Sequence, residues 1–282
     1  MEVAQQRADA QQRAVTEHIL ALADQAGYGA ALIDVAARGH AEAGVITWPQ
    51  FARMVRAAAG GLSRRGLQEG DTAGIFVGDA VSHAVAVHAV RAAGATVTAV
   101  RPTRSAADIA AQLKAGRARL LITSADLAEL AIQAAERSWV RQVFAFGEAE
   151  GTTPFDSLVQ TPRHGQVHAD DASGPSAGLA AEHQVFDLAD LELGADRVAP
   201  QLIRRPVPRL TWRDVVVAAP PCGDPEAYTS LLDLALAAGT TVVAAPLAQV
   251  TAALGVYKGT AAIVPRGTDV PGLPAGRILA AG

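Results

Sequence analysis

Apolar positions along this chain switch between short continuous runs and helical spacing, and the switching is regular enough to place most elements. From about Thr16, HILALADQAGYGAALIDVA predicts a helix stopped at Gly27 and then a strand over AALIDV. The polar start, MEVAQQRADAQQRA, is expected as a frayed helix or a disordered tail. After a turn at 38–44, ITWPQFARMVRAAAGGLSRRG has Thr47 as N-cap and Pro49 in the first turn. Phe51, Val55 and Leu62 share one face until Gly66 ends the helix. Next, GDTAGIFVGDAVSHAVAVHAVRAAGATVTAVRP reads as strand (73–77), helix (81–93) and strand (96–100), a βαβ unit of the expected length. A helix over 106–115 leads to ARLLIT, and another over 125–138 leads to VRQVFAF. Such alternation predicts an α/β fold with mainly parallel sheets covered on both faces.

Over 151–213 the pattern degrades, with Pro154, Pro162, Pro175, Pro200, Pro206 and Pro208 among mixed charges, and only DLADLELGADRVAPQLI looks helical. Alternation resumes with a strand in DVVVAAP, a helix over 226–238, a strand in TTVVAAP, a helix over 249–254 and TAAIVP as the final strand. The expected organisation is an amino-terminal α/β subdomain (1–160), an irregular crossing (161–212) and a second, shortened α/β subdomain (213–282). Shifting 78–99 by 145 residues lays Gly78 and Asp79 on Gly223 and Asp224, Ala92, Ala93 and Gly94 on Ala237, Ala238 and Gly239, and Thr96 and Val97 on Thr241 and Val242. Either a structural repeat or convergence of two Ala-rich βαβ units accounts for that match.

Composition narrows the classes. Half of the residues are hydrophobic but only 4% are aromatic, so close packing of small side chains is favoured over bulky pockets. A net charge of -4 gives no extended basic field, which argues against nucleic acid as the main partner. One cysteine, Cys222, excludes an internal disulfide and a cysteine-based zinc site and fits a reducing compartment. No apolar run is long enough to span a bilayer and the start is not signal-like. A cytoplasmic protein without a membrane partner is expected.

The run from ITWPQF to LLITSADL resembles the amino-terminal part of adenylate-forming enzymes, the acyl- and aryl-CoA synthetase superfamily, and within it bacterial 4-coumarate:CoA ligases. The likeness lies in the threonine-aromatic helix start, the turn of Gly66, Leu67, Gly70 and Asp71, the strand entry AGATVT, and the helix of Asp108, Ile109, Ala110, Gln112 and Leu113. VRQVFAFGEAEGTTPFDSLV extends it, so that it covers about 17–160, and a weaker likeness resumes over 212–265. It implies two related, mainly parallel sheets flanked by helices, and a family chemistry that uses ATP, magnesium and CoA.

That chemistry must hold three phosphates and neutralise developing charge. The family does so with a Gly-rich loop ending in a lysine, after an acidic pair. Here Asp170 and Asp171 stand where the pair is expected, and SGPSAGLAAEH follows. Ser173, Gly174, Ser176, Gly178 and Leu179 lie on the motif, with Ala177 inserted, as a degenerate phosphate loop. Pro175 replaces a threonine and so removes a hydroxyl and an N–H donor, and the lysine position falls among Ala180 and Ala181. Where the family has a proline-aromatic-aromatic-histidine run beside the acid substrate, VVVAAPPCGD keeps Pro220 but places Pro221 and Cys222 at the aromatics and Gly223 at the histidine. Cys222 and Gly223 are therefore the candidate substrate-binding positions. The adenine- and magnesium-binding segment, the hinge and the carboxy-terminal domain with its second lysine are not found, so the likeness implies a truncated homologue with no catalytic residue assigned and with ATP, magnesium and CoA doubtful.

Other constellations are weaker. His83 and His88, five residues apart on one helix, do not share a face and suit no shared metal. His164, His168 and His183 near Asp170 and Asp171 read as solvated loop residues, and no metal site is assigned. No nucleophile elbow or dinucleotide fingerprint is present. Cys222, between a strand and a helix start, suits packing more than acyl transfer. Arg204, Arg205, Arg209 and Arg213 suit a linker, or a docking face for an acidic partner. Three readings follow: a ligase-like protein that binds a metabolic partner or an acyl or aryl ligand, a divergent enzyme on an acyl or aryl acid or thioester using Cys222, His183 or Asp224, or a homodimer that buries apolar surface.

Overall fold

In the computed structural model, which describes residues 2–36, 44–101, 105–159, 209–221 and 223–281, the first elements are helix α1 (Glu2–Gln25), strands β1 (Ala30–Asp34) and β2 (Val45–Thr47), and helix α2 (Trp48–Arg64). The expected βαβ unit is β3 (Thr72–Phe76), α3 (Ala80–Ala92) and β4 (Thr96–Ala99). It is followed by α4 (Ala106–Ala115), β5 (Ala118–Ser124), α5 (Ala128–Glu136), β6 (Gln142–Phe146), β7 (Thr153–Pro154) and the short α6 (Asp156–Val159). The later half has β8 (Val215–Ala218), α7 (Pro225–Ala237), β9 (Thr241–Ala244), α8 (Val250–Tyr257), β10 (Ala261–Pro265) and β11 (Ile278–Ala281). Helix α2 starts as its sequence predicts: Thr47 and Gln50 form a reciprocal capping box, and Gly66, at φ 92°, closes the other end in the left-handed region.

Two sheets result, in the orders β11-β10-β8-β9-β1-β2 and β4-β3-β5-β6-β7. All pairs are parallel except β1 with β2. Period-two alternation divides each strand between two apolar layers. Val216, Val242 and Ile263 face a central core that they share with Ile75 and Ile122 of the other sheet, and α1, α2, α3 and α7 supply its helical residues. The alternate residues Val217, Val243 and Val264 pack under α8, and Phe76 and Leu121 pack under α4 and α5. The layers therefore run helix, sheet, helix, sheet, helix.

The 145-residue shift is a structural repeat. Asp79 caps α3 by accepting from Ser82 N, and Asp224 caps α7 by accepting from Ala227 N. At the other ends, Gly94 N donates to Arg91 O and Ala95 N to Val90 O, as Gly239 N does to Leu236 O and Thr240 N to Ala235 O. Gly94 and Gly239 both have positive φ. Equivalent side chains also meet: the His83 and Tyr228 rings stand edge to face at 5.3 Å, and His88 Nε2 lies 3.6 Å from Asp233 Oδ1. The leading strands are offset. Ile75 pairs with Ala99 as Ala218 pairs with Ala244, so four residue steps separate Ile75 from the Asp79 cap, whereas six separate Ala218 from Asp224. The β8–α7 connection is two residues longer than its counterpart.

Three features depart from the sequence expectations. Helix α1 begins at Glu2 rather than near Thr16, β2 adds an edge strand, and β11 rather than β10 is the last strand. The first hairpin joins the six-stranded sheet, because β1 pairs with β9; the two sheets do not divide along the chain at a single residue.

One close approach ties α6 to α2. A methyl group on Gly61 would sit 2.7 Å from the Leu158 Cα and closer still to the Leu158 carbonyl oxygen, both backbone atoms. Gly61→Ala is expected to be destabilising, because an overpacking cost of about 1–3 kcal/mol outweighs the roughly 1 kcal/mol that alanine gains in helix propensity. A lowered urea midpoint is the expected reading, and an unchanged or raised midpoint would show that α6 yields freely.

Candidate functional site

Both copies of the repeat direct a strand end and a helix start towards one edge of the molecule, where α/β folds bind ligands. In the second copy the connection passes through Pro220, Pro221 and Gly223, the last at φ 70°, a conformation that favours glycine. The Asp224 carboxylate accepts from Glu226 N (3.0 Å) and Ala227 N (3.4 Å), so the helix cap occupies it. Below the loop, the Tyr228 hydroxyl donates to Ala219 O at 2.8 Å and anchors the end of β8. The glycine where the likeness places a histidine thus has a backbone role and presents no side-chain donor.

In the first copy Gly78 N donates to Ser124 Oγ at 3.1 Å. The half-buried Asp79 carboxyl is pushed up, first by burial and also by the charge of Asp34 at the end of β1, against the hydrogen bonds from Ser82. Asp34 thereby brings the six-stranded sheet to bear on the start of α3.

Ser173, Gly174, Ser176, Gly178 and Cys222 lie outside the described residues, as do Asp170, Asp171, His164, His168, His183, Arg204 and Arg205. Of the phosphate-loop and substrate-binding candidates only Gly223 is among the described residues, beside Asp224, Arg209 and Arg213 of the other readings. Among the described residues no three His, Cys, Asp or Glu side chains are grouped to hold a metal ion, and no helix is long and apolar enough to cross a membrane.

A polar cluster that the sequence reading missed lies between α1, α3 and α7. Thr16 Oγ1 is 3.0 Å from His88 Nδ1, His88 Nε2 faces Asp233, and Arg91 Nη1 donates to Asp233 Oδ2 at 2.8 Å. His83 Nε2 is 2.8 Å from Thr229 Oγ1, whose hydroxyl donates to Pro225 O at 2.7 Å; the imidazole is therefore the donor in that pair. Arg91 Nε is buried without a partner among the described residues. Burial drives His83 down to about 3 and His88 to about 4; Asp233 opposes the shift and Arg91 adds to it. A hydroxyl, an imidazole and a carboxylate in series have the order of a hydrolytic triad, but Thr16, His88 and Asp233 are at most 2% exposed, so no substrate reaches them. The signal in the sequence is a single arginine in AVSHAVAVHAVRA and a single aspartate in SLLDLALA, charges that a buried helix tolerates only when paired.

The layered sheets, with a repeated strand-helix unit opening on one edge, define the class: this is the architecture of the amino-terminal domain of adenylate-forming enzymes. The family described as AMP-binding enzyme matches residues 23–184, more than half of the chain, and the protein belongs to that family. Among solved structures it is similar to a long-chain-fatty-acid-CoA ligase from Archaeoglobus fulgidus (18% identity, TM-score 0.65), covering 89% of this chain and 51% of that one. It is also similar to a benzoate CoA ligase from Burkholderia xenovorans (19%, TM-score 0.63, 94% and 54%) and an amide bond synthetase from Marinactinospora thermotolerans (17%, TM-score 0.62, 90% and 48%). The chain thus spans about half the length of these proteins, and at such identities the likeness is one of fold. Comparison with curated protein sequences gives no significant match.

Proposed function

We propose that this chain is a 4-coumarate:CoA ligase-like member of the family that works in the cytoplasm by binding an acyl or aryl ligand or a metabolic partner protein, without carrying out ATP-dependent adenylation itself. One observation carries the reading: the chain has only two lysines, Lys114 and Lys258, and neither belongs to the phosphate loop. Lys114 lies in the last turn of α4, which covers the outer face of the five-stranded sheet, and Lys258 caps the carboxyl end of α8 at φ 54°. The donor set of SGPSAG, two serine hydroxyls and a backbone interrupted by Pro175, does not fit a triphosphate with magnesium. Pro221 and Cys222 likewise stand where the family likeness implies an aromatic wall, and Gly223 where it implies a histidine.

Acid-dependent exchange of pyrophosphate into ATP tests this. The purified chain is expected to show none above background with 4-coumarate, benzoate or a fatty acid, whereas a saturable, acid-dependent exchange would overturn the reading. The engagement of Asp224 as a helix cap leaves the divergent-enzyme alternative without a described catalytic group.

A further inference from the structure

Helix α2 flanks a surface groove of about 450 Å³, within the roughly 300–1,000 Å³ of small-molecule sites. Gln50, Arg53, Met54 and Ala57 of α2 line it; they stand at i, i+3, i+4 and i+7 and so form one stripe of the helix. The edge strand β2 and Val159 of α6 complete it. In the sheet the groove is separated from the β8–α7 connection by β9 and β1, so it is distinct from the strand-end crevice.

The stripe is polar at one end and apolar at the other. The capping box fixes the Gln50 amide: its Oε1 accepts from Thr47 N at 2.8 Å and from Thr47 Oγ1 at 3.1 Å. That orientation leaves the Nε2 amino group with no partner among the described residues. Arg53, one turn on, makes no ion pair with a described residue, unlike Arg56, whose guanidinium is held by both oxygens of Asp24 at 2.7 and 2.6 Å. No acidic residue occurs in α2, so these donors have no internal anion on their own helix. Beyond them Met54, Ala57 and Val159 offer apolar surface, and seven residues of helix span about 10 Å.

We propose that this groove is a binding site for a small monocarboxylate with an apolar body of about that length, its carboxylate on the Arg53 guanidinium and the Gln50 amino group and its body along Met54, Ala57 and Val159. The groove's own chemistry sets the ligand class: a cation and a fixed amide donor select an anionic acceptor, and the apolar remainder rejects a fully polar one. This inference can fail while the reading of the strand-end site stands.

The test is calorimetric titration and amide NMR on the full chain with 3-phenylpropanoate and its uncharged amide. The carboxylate is expected to bind, to shift the Gln50 side-chain and Ala57 signals, and to bind about tenfold or more tightly than the amide. Arg53→Gln should remove that preference together with the salt dependence of binding. Ala57→Trp, which fills the groove, should abolish binding of both compounds. Arg53 is exposed and Ala57 half-exposed, so both variants should keep the wild-type melting temperature, which is recorded alongside. Absence of carboxylate binding overturns the proposal. So does affinity unchanged in both variants, which would place the ligand elsewhere, and so does ligand-free self-association that Ala57→Trp removes, which would assign the groove to a second copy.

Discussion

Acidification from neutral pH should destabilise this protein steeply, starting near pH 6.5, because His83 and His88 are held neutral between α3 and α7. In the unfolded chain both imidazoles titrate at about 6.5. In the folded protein loss of water is the main cause that lowers them to about 3 and about 4. Between those limits the unfolded state binds two protons that the folded state does not, so stability is fully present above pH 6.5 and falls as pH drops. The slope approaches about 2.7 kcal/mol per pH unit and persists until the folded values are reached. Asp79 works in the opposite sense, since its raised carboxyl gains a proton earlier in the folded state than in the unfolded one. Urea denaturation at pH 7.5, 6 and 5 measures the effect, and His88→Gln should remove about half of the slope. A stability that is flat across that range would show that the imidazoles are hydrated.

Replacing Asp233 should produce the largest effect of any single substitution in the described core. Arg91 and Asp233 are 4% and 2% exposed and joined at 2.8 Å, and Arg91 Nε is already without a partner among the described residues. Asp233→Ala leaves a guanidinium buried and uncompensated, which costs about 3–5 kcal/mol. Against a total stability of roughly 5–15 kcal/mol the variant should be partly unfolded at physiological temperature. The double replacement Arg91→Met with Asp233→Leu removes both charges and keeps apolar volume, and it should recover most of the loss. Equal stability of the single and double variants would show that the loss comes from packing rather than from the stranded charge.

These two predictions concern residues whose surroundings the amino-acid pattern did not disclose. AVSHAVAVHAVRA and PEAYTSLLDLALA were legible as helices from spacing, and the 145-residue correspondence was legible as a match of motifs, whereas the Asp79 and Asp224 caps emerge from the structure. That the helices face each other, so that Arg91 meets Asp233 across 142 residues of chain, is a property of sheet order. A short continuous apolar run marks AALID as a strand, yet only pairing with β9 shows which sheet receives it. The strand ILAA was missed because the four residues between Arg277 and Gly282 carry no turn or alternation signal of their own, and its place is set by the parallel partner β10. For the candidate site, residue identity alone shows that Pro175 and Gly223 offer no side-chain donor where the family likeness implies one. The geometry of Gly223 explains in addition why a glycine suits that turn.

The unequal strand-to-helix connections of the two repeats give the molecule an internal yardstick. The shorter one shows how little chain is needed to carry a strand into its capped helix, so the surplus length in the longer one is not required by the layers it joins. The two surplus residues between β8 and the Asp224 cap are therefore free of the length constraint that the shorter connection meets, which makes this connection a place on the scaffold where specificity can change at little cost to the layers.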